Sequence, residues 1–248
     1  MHPRNGDVRR LKLPDSRKRI GASPEGRYQA QRSTIIGAAA VAGMFGPALF
    51  AAVLLALSAI EYDFMLGIGW RPLSDPAGAW PSGLALGLYG WVQVWSFVLS
   101  GFLLMVFAVG LHFGATGGRG SRVGPTLLFV AGTAMALMGF ETDPIQRTGP
   151  RTLHGWIHDL AFVLFLLAVL PAFFFLWQRL SKDPRWRGHA RYTLITGLLA
   201  TLLLFLPGVA YYLFLAVVLA WVSATGGTLW KRAARNNGLR SARHPPRT

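Results

Sequence analysis

Two histidines and an aspartate are the side chains in this sequence with the clearest capacity for chemistry. His154 and His158 are four positions apart, so on a helix they lie one turn apart on a single face, which lets two imidazoles bind one metal ion. Asp143 lies across a ten-residue connection and could add an oxygen ligand, leaving a fourth position for water as in catalytic zinc sites. Asp143, His154 and His158 are therefore candidate ligands of a divalent metal such as zinc.

Two further carboxylates accompany this cluster, and a second interpretation of it stays open. Glu141 and Asp159 are candidate catalytic groups, as a general base or as a hydrogen-bond partner of a metal ligand. Gly155 follows the first histidine where the metalloprotease helix motif has Glu. The histidines could instead be structural, with hydrogen bonds to loop carbonyls and to neighbouring carboxylates.

The composition identifies the kind of chain that must position these residues. Of 248 residues, 52% are hydrophobic and only 14% are charged, yet the net charge is +15. The mean hydropathy of +0.39 and apolar runs of more than twenty residues exclude disorder for most of the chain and argue against an ordinary soluble domain. The absence of cysteine excludes disulfides, thiolate metal sites and a cysteine nucleophile. An all-α polytopic membrane protein remains.

The uncharged runs predict six transmembrane helices in one domain over residues 34–229. A disordered basic tail, 1–33, precedes them, and a second basic tail, 230–248, follows. Residues 61–90 are rich in Pro and Gly and predict a loop outside the membrane, and Pro207-Gly208 predicts a turn between the last two helices. The predicted spans are about 34–60, 91–114, 124–142, 155–177, 191–206 and 209–229.

The distribution of Lys and Arg predicts the orientation of these spans. If both termini are cytoplasmic, the cytoplasmic segments carry 22 of the 25 Lys and Arg residues and the outer segments carry three. Such an asymmetry over short loops is typical of positive-inside topology. Six of the ten acids fall on the outer side, beside the two histidines.

Three stretches of the chain resemble a known family. They are Phe97-Val98-Leu99-Ser100-Gly101, then Gly139-Phe140 through Asp143-Pro144, then His154-Gly155 through His158. Together they resemble an uncharacterised bacterial family of six-span membrane proteins known as domain of unknown function 998. Family members commonly have Phe-Pro-x-Asp where this chain has Phe140-Glu141-Thr142-Asp143. The resemblance implies the fold and a place in the bacterial cytoplasmic membrane, and it implies no activity.

The sequence therefore predicts an integral membrane protein of unknown molecular function with a His/Asp cluster at the outer membrane face. One hypothesis is a metal-dependent membrane hydrolase acting on a lipid or amide at the outer leaflet. The other is a non-enzymatic sensor, carrier or assembly factor, so whether the chain is an enzyme stays open. Lipids of the anionic inner leaflet are the expected partners of the basic tails, and no nucleic acid is expected. The oligomeric state is not addressed by the sequence.

Overall fold

Seven α-helices and three short 3₁₀ turns make up nearly all of the described chain. The structure is a computed structural model, and it describes residues 24–115, 122–144 and 146–243. Within these ranges the only β pairing is an isolated bridge between Arg71 and Asp75. The 3₁₀ turns are Pro76–Gly78, Ser82–Leu86 and Pro184–Trp186, and the helices are α1 (Pro24–Ile60), α2 (Tyr62–Gly67), α3 (Gly90–Gly114), α4 (Val123–Leu137), α5 (Leu153–Ser181), α6 (Arg187–Leu204) and α7 (Ala210–Arg243).

The six longer helices form a closed ring. Each packs against the next one along the chain, from α1 through α3, α4, α5 and α6 to α7, and α7 packs back against α1. In the described residues, α1, α3, α5 and α7 are long and apolar enough to cross a membrane, and α4 is a shorter apolar helix. The chain is therefore an all-helical protein of the multi-pass membrane type, as its composition predicts.

The first helix begins earlier than the sequence suggested. Residues 24–33 were expected to be part of a disordered tail, but they are helical and continue directly into α1. One reason is that Arg32 Nη2 donates a 2.7 Å hydrogen bond to the carbonyl of Phe113, at the end of α3 where carbonyls lack helical partners. Residues 1–23 of that predicted tail, the connection that carries Arg119, and residues 244–248 of the second tail lie outside the described residues.

Residues 61–90, which we call the cap, fold back over one end of the ring. Met65, Trp70 and Leu84 of the cap are buried, which fixes it to the helices by apolar packing. The Trp80 ring packs edge-on against Tyr212, at 4.9 Å between centroids. The segment predicted as a polar loop is therefore a folded layer. We call this end of the ring the cap end.

Two polar contacts also hold the cap in place. Trp80 Nε1 donates a 2.8 Å hydrogen bond to Ser58 Oγ of α1. The carboxylate of Glu61 accepts a 2.7 Å hydrogen bond from the backbone N–H of Tyr89, next to the start of α3. A negative charge is favourable there, because the first N–H groups of a helix lack partners.

The opposite end of the ring, which we call the Arg179 end, is held by a buried arginine. Arg179 Nη2 donates 2.6 Å hydrogen bonds to the carbonyls of His112 and Ala115. These carbonyls belong to the last turn of α3 and the residue just after it, where a cation stabilises a helix. Each end of α3 is thus fixed by a charged side chain from another helix or helix terminus.

Candidate functional site

His158 lies at the centre of the polar layer at the cap end. Its side chain is buried, and Nδ1 lies 2.9 Å from the carbonyl oxygen of Met138 and 2.8 Å from that of Phe140. Carbonyl oxygens only accept hydrogen bonds, so Nδ1 carries a proton. In the neutral ring, Nε2 is then unprotonated and accepts the hydrogen bond of the Ser82 hydroxyl at 2.8 Å.

The end of α4 explains why His158 is held in this way. The sequence predicts a span to residue 142, whereas α4 ends at Leu137 and the chain continues through turns to Phe140. The last carbonyls of a helix have no intrahelical partners. His158 Nδ1–H donates hydrogen bonds to the carbonyls of Met138 and Phe140, just beyond this end. The end of α4 therefore sets both the orientation and the tautomer of the ring.

Ser82 comes to His158 from the cap, 76 positions earlier in the chain. It is the first residue of the 3₁₀ turn Ser82–Leu86, in which Gly83, Leu84 and Ala85 are buried. The Phe97 ring of α3 packs edge-on against the imidazole, with centroids 6.1 Å apart. The serine lies in the cap and the histidine on α5, and the imidazole is packed between α3 and the end of α4.

Asp143 fixes the start of α5 through hydrogen bonds to Thr152. One carboxylate oxygen accepts a 2.7 Å hydrogen bond from the Thr152 hydroxyl, and the other accepts a 3.1 Å bond from the Thr152 N–H. The Thr152 hydroxyl in turn accepts from Gly155 N at 3.0 Å, as the N-cap of α5. The hydroxyl bond holds the pKa of the Asp143 carboxyl below its ordinary value, assisted by the Thr152 N–H and by the charges of Arg147 and Arg151.

The remaining predicted site residues point to surface roles. His154 is exposed and packs edge-on against Phe140, with centroids 5.4 Å apart. Asp159 forms an ion pair with Arg151, whose guanidinium also lies over the Trp156 ring at 5.2 Å. Glu141 is exposed.

The structure does not bring the predicted metal ligands together. Within the described ranges no group of three His, Cys, Asp or Glu side chains is placed to hold a metal ion. Both ring nitrogens of His158 have hydrogen-bond partners, and both oxygens of Asp143 are bonded to Thr152. A divalent metal bound by Asp143, His154 and His158 therefore stays a prediction from the sequence.

An apolar cavity begins beside Ser82 and extends down inside the ring. Its volume is about 80 Å³, and it is lined by residues of α1, α3, α4, α5 and α7 together with Pro81 and Ser82 of the cap. Along α7 the lining extends from Tyr211 to Val222, about 16 Å of helix axis. A mostly apolar wall with a few polar groups is typical of ligand sites.

A second, more polar cavity meets the first at Ser82. It is bounded by the cap and by Thr142, Asp143, His158 and Asp159. Ser82, Phe162 and Tyr211 line both cavities. The Ser82–His158 pair therefore lies between an apolar chamber and a polar one, where a reacting group with an apolar tail could meet water.

The sequence predicts His158 as a site residue, whereas it gives no indication of Ser82. No serine motif such as Gly-x-Ser-x-Gly surrounds Ser82, and its partner is distant in sequence. The one available signal was the length of the segment 61–90, because a loop that long inside a compact domain is usually functional. Gln93 of α3 is fully buried, and its side-chain amide makes no hydrogen bond with the described residues.

A protein-family profile matches most of the chain. The profile of the family described as Protein of unknown function (DUF998) matches residues 50–230, from the second half of α1 to the middle of α7. The chain belongs to this family. The matched region of this DUF998 member includes the cap, Ser82 and His158. No curated protein and no solved structure matches the chain.

Proposed function

We propose that this protein is a six-span protein of the bacterial cytoplasmic membrane that binds a lipid chain inside its ring of helices. The chain of the lipid lies in the apolar cavity, and its polar end lies at the cap end beside Ser82 and His158. The observation that carries the proposal is the apolar cavity itself, whose lining extends about 16 Å along α7 and which meets a more polar cavity beside Ser82. A single-chain lipid has the same division into apolar and polar parts.

The contacts of α4 support a crossing by this helix in addition to those of α1, α3, α5 and α7. Near its start, Gly124 packs against Leu176 of α5, and beyond its end the Met138 carbonyl meets His158 of α5. These two contact points on α5 are 18 positions apart, or about 27 Å along the axis, close to the roughly 30 Å of a hydrocarbon core. A helix that accompanies a spanning neighbour over this distance crosses the membrane with it.

The charges at the two ends support cytoplasmic termini. Lys182, Arg185, Arg187 and Lys231 lie at the Arg179 end, whereas Glu61, Asp63, Asp75, Asp143 and Asp159 lie at the cap end or in the cap. Lys and Arg are retained on the cytoplasmic side of bacterial membranes. The cap then faces outward, and the basic tails meet the anionic inner leaflet, where each charge contributes about 1 kcal/mol of attraction.

Binding of 1-monoacylglycerols with 8 to 16 carbons tests the proposal. The protein is purified in a nonionic detergent, and each complex is counted by native mass spectrometry. We expect one bound molecule, with affinity rising about fourfold for each added methylene, because burial of a CH₂ contributes about 0.8 kcal/mol. The rise should stop when the cavity is full.

Two matched substitutions on α5 separate the cavity from the outer surface. Val169 is buried and lines the cavity, whereas Val163 is 51% exposed on the outside of the ring. Val169→Phe should abolish the bound monoacylglycerol and Val163→Phe should retain it. Val218→Phe, on the cavity wall of α7, serves as a second filling variant. Equal binding by all of these forms would overturn the proposal.

A further inference from the structure

We propose that Ser82 is a nucleophile and His158 its general base, and that together they hydrolyse a carboxylic ester of the bound lipid. This inference rests on the proposed lipid-binding function and adds a reaction to it. The reacting pair is Ser82 Oγ and His158 Nε2, 2.8 Å apart. This distance is within the range needed for a base to take a proton from a nucleophile.

The base is held in the tautomer that the reaction needs. Nδ1–H donates to the carbonyls of Met138 and Phe140, so the lone pair of the neutral ring is on Nε2 and faces the serine. In a Ser-His-Asp triad a carboxylate provides this orientation. Here two backbone carbonyls at the end of α4 take its place, and Nδ1–H keeps its hydrogen bonds to them when Nε2 is protonated.

The position of Ser82 selects the substrate. Its side chain lines both cavities, so an acyl chain in the apolar chamber brings its carbonyl carbon to the hydroxyl. The alcohol part of the ester then extends into the polar chamber beside Thr142 and Asp159. The reacting ester is uncharged, as the apolar walls around Phe97 and Phe162 require.

Tyr211 is placed to stabilise the charge that develops on the carbonyl oxygen. It is 7% exposed and lines both cavities together with Ser82. Its ring packs against Trp80 and Phe214. A phenol hydroxyl that faces the cavity is able to donate a hydrogen bond to an oxyanion.

The reaction has two steps. In the first, Ser82 Oγ attacks the ester carbonyl carbon while His158 Nε2 takes the hydroxyl proton; the bond to the alcohol oxygen then breaks and the alcohol leaves with that proton. In the second, water from the polar chamber gives a proton to Nε2 and attacks the acyl carbon. The bond to Ser82 Oγ breaks, and the serine regains its proton from His158. The net reaction converts an ester and water into a fatty acid and an alcohol.

Covalent labelling with an alkyl fluorophosphonate tests the nucleophile, because the reagent phosphonylates an activated serine with loss of fluoride. We expect a single modified site in the full-length protein, mapped by peptide mass spectrometry to Ser82, and none in Ser82→Ala. Ser181→Ala is the control, since Ser181 is an exposed serine outside both cavities and its hydroxyl donates a hydrogen bond to the Trp177 carbonyl. His158→Gln should slow labelling by about 100-fold or more.

Hydrolysis of 4-nitrophenyl decanoate gives the second readout. Wild type and Ser181→Ala should turn it over, Ser82→Ala should not, and Tyr211→Phe should lower kcat more than it changes KM. Equal turnover in wild type and Ser82→Ala, or labelling that does not map to Ser82, would show that Ser82 is not the nucleophile.

Monoacylglycerol binding distinguishes the two proposals. If binding still depends on Val169 while Ser82 is inert, the esterase proposal fails and lipid binding stands. If Ser82 reacts but Val169→Phe neither prevents binding nor changes the preference of the enzyme for long acyl chains, the lipid-binding proposal fails. Loss of monoacylglycerol binding in His158→Gln identifies a folding defect in that variant. The esterase proposal is then tested by Ser82→Ala alone.

Discussion

At the scale of single residues, Asp143 acts on His158 through the start of α5. Its carboxylate holds Thr152, and Thr152 caps the helix on which His158 lies one and a half turns later. Removal of Asp143 therefore affects the position of the histidine without removing any of its hydrogen-bond partners. Asp143 is a positioning residue in this account.

The lowered pKa of Asp143 sets the pH range in which it stabilises the protein. Its contribution is fully present above the ordinary aspartate pKa of about 3.9 and is lost as the pH falls through the lowered pKa of the folded state. We therefore expect Asp143→Asn to lower Tm by the same amount at every pH from 5 to 8, and the difference from wild type to shrink only at more acidic pH. Thermal unfolding in detergent measures both.

Glu141→Gln is the control for this prediction. Glu141 is an exposed carboxylate two positions away, so its substitution should leave Tm nearly unchanged across the same range. A Tm difference for Asp143→Asn that disappears between pH 5 and 8 would contradict the assigned role.

The residues at the site differ in how far the sequence could predict them. The spacing of His154 and His158 correctly indicates one helix, since both lie on α5. It does not indicate that one ring is buried and the other exposed, because that depends on where the cap covers the helix. The Ser82 contact was not predictable, because it joins two segments without any shared pattern.

At the scale of helices, a close contact between α3 and α4 fixes the wall of the cavity. A Cβ on Gly101 would lie 2.5 Å from the backbone nitrogen of Ala136, and a Cβ on Gly132 would lie 2.8 Å from the carbonyl oxygen of Gly101. Backbone atoms cannot move aside as a flexible side chain can. Small residues at such crossings let transmembrane helices pack closely.

Gly101→Ala should therefore destabilise the protein even though alanine is the better helix former. Gly37→Ala is the matched control, because Gly37 also lies on a helix and a Cβ there meets nothing within 4 Å. We expect Gly37→Ala to leave Tm unchanged or to raise it, in keeping with a gain of up to about 1 kcal/mol, and Gly101→Ala to lower it. An equal or higher Tm for Gly101→Ala would show that α3 and α4 are not packed this closely.

Helix ends were harder to predict than helix positions. Pro207-Gly208 correctly indicates the break between α6 and α7, because the positive φ of 66° at Gly208 favours glycine. The end of α4 was predicted five residues too late, since nothing in the apolar pattern reveals that His158 takes the carbonyls of Met138 and Phe140. The apolar pattern likewise does not reveal that α1 begins at Pro24.

At the scale of the whole molecule, the proposed topology accounts for the charge of +15. Most of the basic residues are then cytoplasmic, and six of the ten acids are outside. In this proposal the lipid site is at the outer leaflet.

The absence of cysteine makes this orientation directly measurable. Single cysteines are introduced at exposed positions, and intact cells are treated with a membrane-impermeant maleimide. We expect labelling at the three outer positions and no labelling at the two inner ones until the membrane is permeabilised. The outer variants are Leu88→Cys, Gly149→Cys and Phe205→Cys, and the inner ones are Val123→Cys and Lys182→Cys. Labelling of Gly149→Cys and Val123→Cys from the same side would contradict six crossings.

The central claim is that a lipid chain lies inside the ring, and photolabelling tests it most directly. A monoacylglycerol with a diazirine on its terminal carbon is bound to the protein, irradiated, and located by peptide mass spectrometry. We expect the activated probe to insert at Leu128 and Val222, which line the cavity. In Val169→Phe this insertion should be lost. Insertion confined to outward-facing residues such as Leu164 and Leu167 would contradict it.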